Sequence, residues 1–136
     1  MTGREVYFVT ESRAWRQTLN IIAISTAIRL ILGALVPLFP DETYYWDWSR
    51  HPASGYFDHP PAIAMLIRGG ISLAALFGAG PSPFVIRFFP VLAGGAATLF
   101  AILIARRLGG GTSARTAATV FSIMPLAATG PVLATP

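Results

Sequence analysis

The sequence predicts an all-α integral membrane fold, a multi-span helical bundle of two full spans and the start of a third, with an extracytoplasmic loop of short interfacial helices. Three observations carry this expectation. The chain of 136 residues is 54% hydrophobic and only 12% charged, with a mean hydropathy of +0.60, more apolar and less charged than a water-soluble domain. Its apolar residues gather into runs near the roughly 20 residues that cross about 30 Å of hydrocarbon. Its charges are segregated: all ten basic residues are arginines, and four of the six acids (Asp41, Glu42, Asp47 and Asp58) fall within eighteen residues. The pI near 10.4 raises nucleic acid as a partner, but arginines dispersed beside apolar runs fit orientation in a bilayer better, so no nucleic acid is expected. The absence of cysteine excludes disulfides and thiolate metal sites.

Residues 1–18, with Arg4, Arg13 and Arg16, read as a cytoplasmic N-terminus, and 19–39 as the first transmembrane helix, closed by Pro37 and Pro40. A cleaved signal peptide is the competing reading; the apolar run is too long for one and is interrupted by Arg29. Residues 40–83 form the extracytoplasmic loop, with interfacial helices at about 41–51 and 61–79. Arg68-Gly69-Gly70 in the middle of 61–79 argues against a span, because a central arginine is costly and paired glycines loosen a helix. Keeping that segment out of the count also leaves Arg106, Arg107 and Arg115 on the same side as the N-terminal arginines, as the positive-inside rule prefers. The second span is 84–108, opening after Pro81 and Pro83, carrying the small-residue stretch Ala93 to Ala97 for close helix contact, and ending on Arg106-Arg107. A cytoplasmic turn follows at 109–113, then the start of a third helix at 114–136, where the sequence ends inside an apolar segment and reads as truncated. The expected location is the inner (plasma) membrane, multi-pass, with membrane lipids as surroundings.

The loop concentrates the groups that do chemistry. Asp41 follows Pro40 and is placed to cap a short helix running to about Arg50, where at helical spacing it shares a face with Tyr45 and Trp48. A carboxylate at the positive end of a helix stays ionised and can accept a proton or bind a cation. Tyr44, Tyr45, Trp46, Trp48 and Tyr56 suit stacking on a sugar, and equally an aromatic belt at the membrane interface. Asp58-His59 before Pro60-Pro61 is held extended. With Asp41 and Glu42 it offers hard oxygen ligands and one nitrogen for a divalent metal ion, against the plainer reading of two solvated loop residues. Arg68 and Arg87 lie where a guanidinium forks onto phosphate oxygens or snorkels to lipid headgroups. Arg29, within the first span, faces either the bundle interior or an acid elsewhere.

Asp41-Glu42-Thr43-Tyr44-Tyr45 after a first span, Gly55-Tyr56-Phe57-Asp58-His59-Pro60-Pro61, Arg87-Phe88-Phe89-Pro90 opening a span that closes on Ala105-Arg106-Arg107-Leu108, and the final Leu133-Ala134-Thr135-Pro136 together resemble the N-terminal part of bacterial membrane glycosyltransferases of the GT-C type. These include the protein O-mannosyltransferase relatives and the lipid A aminoarabinose transferase group. The resemblance covers residues 19–136 and implies a fragment of a longer enzyme, inactive alone. It implies transfer of a sugar from a polyprenyl-phosphate donor to a lipid, glycan or protein acceptor on the extracytoplasmic face. By position, Asp41 of the catalytic pair Asp41-Glu42 resembles the base that activates the acceptor hydroxyl, and Asp58 a metal-binding acid that offsets phosphate charge. Tyr44, Tyr45, His59, Arg68 and Arg87 are the expected substrate-binding residues. Two departures bear on the donor sugar: His59 stands where that group often has Lys, and Tyr44 where it often has Arg.

Two other classes compete. A transporter or channel segment would repeat polar residues along several spans, and only Arg29 does so here. A small non-enzymatic membrane protein would use the aromatic loop only as an anchor.

Overall fold

The structure is a computed structural model that describes residues 3–57 and 59–124, with side chains from residue 11 onward. Every regular element among the described residues is helical: α1 Gly3–Leu35, α2 Pro40–Arg50, α3 Ala62–Ala75 and α4 Pro83–Ile123. α1 begins well before residue 19, because apolarity marks where hydrocarbon could lie, whereas the helix itself needs only an unbroken run without proline. It stops at Leu35 rather than Phe39, since Pro37 pushes Val36 out of the helical region.

α3 has 14 residues, about 21 Å at 1.5 Å per residue, too short to cross a bilayer. It ends short of the expected residue 79 in a Schellman motif: Ala79 N–H donates to Ala74 O at 3.0 Å, Gly78 N–H donates to Ala75 O at 3.1 Å, and Gly78 takes φ 72°. Gly70 sets the approach of α3 to α4, since a Cβ there would lie 2.6 Å from the Val85 carbonyl oxygen.

α4 is broken at Gly109 (φ −145°, ψ 17°) and Gly110 (φ 73°, ψ −166°). Contacts on α1 show what the break does. Arg87 meets Gly33, a Cβ on Gly95 would meet Thr26, and Arg106 meets Glu11, so residues 83–108 run antiparallel to α1. Beyond the break, Gly111 N–H donates to Glu11 Oε2 at 2.9 Å and Arg115 Nη1 to Gln17 Oε1 at 3.1 Å. The direction has reversed, and residues 111–123 return beside α1. The reversal therefore sits at two glycines instead of filling 109–113, and the expected third helix begins there; its part at 125–136 lies outside the described residues.

The interior is a narrow stripe. On α1 it holds Ala14, Thr18, Arg29 and Gly33, and a buried cluster of Ile102, Ala114 and Ala118 packs with Trp15, Ile21 and Ile22. The opposite face leaves Ile24, Ile28, Ile31 and Leu35 exposed, as Phe100, Ile104 and Leu108 are on α4. Two helical stretches, Glu11–Leu35 and Pro83–Ile123, are long and apolar enough to cross a membrane, yet only 17% and 28% of their apolar windows are buried. The core helix of a water-soluble protein is mostly buried, so exposed apolar faces of this size call for an apolar surrounding.

Candidate functional site

α2 is held across the end of α1 by one buried ion pair. Its N-cap is Phe39, not Asp41: the helix begins at Pro40, a residue suited to the first turn, and Phe39 N–H donates to Glu42 Oε2 at 2.8 Å, the acidic half of a capping box. Glu42 is 0% exposed and faces Arg87, which is 1% exposed. The guanidinium forks onto the carboxylate, Nε to Oε1 at 2.6 Å and Nη2 to Oε2 at 2.5 Å. Its remaining N–H groups reach the end of α1: Nη1 donates to Gly33 O at 2.8 Å and to Val36 O at 2.6 Å, and Nη2 to Pro37 O at 2.9 Å. All five donors of the guanidinium are satisfied. A cation sits on the negative end of α1 and an anion on the positive end of α2, the arrangement both helix dipoles favour.

This geometry changes the expected role of two residues. Glu42, expected beside Asp41 as a catalytic acid, has both oxygens engaged and no access to an acceptor. Arg87, expected on substrate phosphate, has no N–H left to give. Both act as positioning residues that fix α2. Asp41 remains: it is exposed in the first turn of α2 and has no hydrogen-bond or ion-pair partner among the described residues.

Further along the same buried stripe as Glu42, α2 builds an aromatic wall. Tyr45 and Trp48 are buried against Ala64, Ile67 and Ile86, so Trp48 is core rather than interfacial belt. Tyr56 stacks on Trp48 with ring centres 4.5 Å apart and 3° between planes, and its hydroxyl donates to Trp48 O at 2.9 Å and His51 O at 3.0 Å. These bonds pin the 51–60 loop to the end of α2. His59 follows, its Nε2 3.0 Å from the Tyr45 hydroxyl. Tyr44 is the exposed ring, 4.4 Å from Trp48. Tyr45 and His59 therefore serve each other, and Tyr44 presents the open aromatic face. Arg68 Nη1 donates to Ser49 O at 3.2 Å, capping α2, while the rest of its exposed side chain stays free. Arg50 pairs with Asp47 and lies over Trp46.

Of the four residues expected to hold a metal, three are described. Glu42 is held by Arg87, His59 is turned to Tyr45, and no three metal-ligating side chains gather among the described residues; Asp58 lies outside them. A cavity of about 170 Å³ between α3 and α4, lined by Leu73, Phe77, Phe84 and Phe88, is wholly apolar and carries no group for chemistry.

Nothing in the sequence links Glu42 to Arg87, 45 residues away; the nearest signal is an acid three residues into a helix opened by proline. No known protein family, curated protein or solved structure matches the chain.

Proposed function

We propose that the chain is the N-terminal part of a membrane glycosyltransferase that moves a sugar from a polyprenyl-phosphate donor to a lipid, glycan or protein acceptor on the extracytoplasmic face. The observation that carries this reading is Asp41, an exposed, unpartnered carboxylate on a short helix whose orientation a buried ion pair fixes. Beside it the same helix offers an open ring, Tyr44, backed by Trp48 and Tyr56. A nucleophilic hydroxyl must lose its proton as the sugar–phosphate bond breaks, and a carboxylate held still can take it. Arg68, expected together with Arg87 to bind substrate, keeps donors to spare for phosphate.

In this reading α1 and α4 cross an inner (plasma) membrane as parts of a multi-span bundle, with the N-terminus in the cytoplasm. The pathway reading has two observations, the buried Arg29 Nη2 and the buried Ser122 Oγ, neither of which has a hydrogen-bond partner among the described residues. Thr18 and Thr98, two other polar groups of the stripe, close on their own helices, Thr18 on Ala14 O and Thr98 on Gly94 O.

The test is transfer of a labelled sugar from its polyprenyl-phosphate carrier in membranes expressing the open reading frame that contains this segment. Label passing to an acceptor above the level of control membranes is expected. Membranes that hold the protein and transfer none of a panel of carrier-linked sugars would refute the proposal.

A further inference from the structure

The ends of the molecule treat their arginines differently. At the α2 end every guanidinium has an acceptor from the chain: Arg50 on Asp47, Arg87 on Glu42 and Arg68 on Ser49 O. At the opposite end the register of α1 and α4 gathers Arg13, Arg16, Arg106, Arg107 and Arg115 around the Gly109–Gly110 reversal, with Glu11 the one carboxylate among the described side chains there. Glu11 accepts from Gly111 N–H and faces Arg106 at 3.8 Å, Arg106 lies 4.2 Å over the Trp15 ring, and Arg115 holds Gln17. Arg13, Arg16 and Arg107 are exposed and have no acceptor among the described residues.

The spacing along α1 says where these three sit. From Arg16 to Gly33, at the level of the buried ion pair, is about 26 Å at 1.5 Å per residue, and from Arg13 to Val36 about 34 Å, which brackets the hydrocarbon thickness of about 30 Å. Guanidiniums at that depth meet headgroup phosphates, and Trp15 is the amphipathic ring expected at the same level. We infer that Arg13, Arg16 and Arg107 form a binding surface for the phosphates of anionic phospholipids in the leaflet facing the N-terminus. The inference rests on the reading of α1 and α4 as membrane spans and is independent of sugar transfer. Planar, forked donors hold phosphate oxygens in pairs, which a diffuse positive charge does not.

The experiment places the full chain in nanodiscs of phosphatidylcholine with a minority of phosphatidylglycerol, extracts it mildly and measures the lipid retained. Phosphatidylglycerol is expected several-fold above its share of the bilayer. Each arginine near an anionic surface contributes on the order of five-fold, so Arg13→Gln, Arg16→Gln and Arg107→Gln together should return the ratio to the bulk value. Arg50→Gln at the other end should leave it unchanged. Soluble glycerol phosphate should not compete; if it displaces the lipid, the surface is a phosphate site and not a lipid site. Enrichment that survives the triple substitution, or none in the parent chain, overturns the inference. Alkaline carbonate extraction separates the two failures: a chain released by it overturns the membrane reading and this inference with it, whereas an embedded chain without enrichment overturns the lipid surface alone.

Discussion

Removing one member of the Glu42–Arg87 pair should be the most damaging single change in the described fold. Both side chains are at most 1% exposed, the fork is short at 2.6 and 2.5 Å, and three further bonds tie the guanidinium to the end of α1. Breaking a buried pair from one side leaves the other charge desolvated and uncompensated, which costs about 3–5 kcal/mol. Arg87→Met should therefore unfold the α1–α2–α4 junction, and Glu42→Leu should do the same from the other side. The double variant should recover a large part of the loss, because no buried charge is then left alone. The remainder reflects the Gly33, Val36 and Pro37 carbonyls, which lose a donor, and the Phe39 N–H, which loses its acceptor. The assay is denaturant or thermal unfolding of the purified chain in lipid nanodiscs, followed by tryptophan fluorescence, for parent, both singles and the double. If either single variant costs under about 1 kcal/mol, the range of a solvent-exposed pair, the junction is hydrated and the reasoning fails.

Three further outcomes follow from the geometry. Gly70→Ala puts a methyl group 2.6 Å from the Val85 carbonyl, so α3 must move off α4; a loss of about 1–3 kcal/mol is expected in the same unfolding assay. Gly110→Ala, at φ 73°, should cost about 1–2 kcal/mol through backbone strain alone and reduce crosslinking between cysteines placed on α1 and on residues 111–123. Tyr56→Phe removes both hydroxyl bonds to α2 but keeps the ring stack; hydrogen exchange should quicken in 51–60 while α3 is unchanged.

The helical class and the place of the acid-rich loop were readable because they depend on local composition: apolar run length, Pro40 ahead of two acids, and three glycines after Arg106-Arg107-Leu108. What escaped were contacts made at a distance. Glu42 looks like a second catalytic acid because its neighbour Asp41 does, and their difference comes from the roughly 100° between adjacent helix positions, which turns Glu42 toward Arg87 and leaves Asp41 exposed. Arg87 looked available because a sequence shows a charge and not its partners. Trp48 reads from sequence as a ring for sugar stacking or an interfacial belt, yet the helix turns it with Tyr45 toward Ile67 and Ile86. α1 also reaches further toward the N-terminus than the apolar run, because hydropathy reports solvent preference and residues 3–18 are helical without being apolar.

The central claim is that Asp41 takes the acceptor proton while Glu42 and Arg87 only hold its helix. It is tested most directly by the rate of sugar transfer for Asp41→Asn in membranes expressing the whole reading frame, normalised to the amount of inserted, folded protein. An asparagine fits the same exposed position and cannot accept the proton, so transfer should fall by about 10²–10⁴-fold with unfolding unchanged. Turnover within a few-fold of the parent, at equal folded protein, would contradict the account.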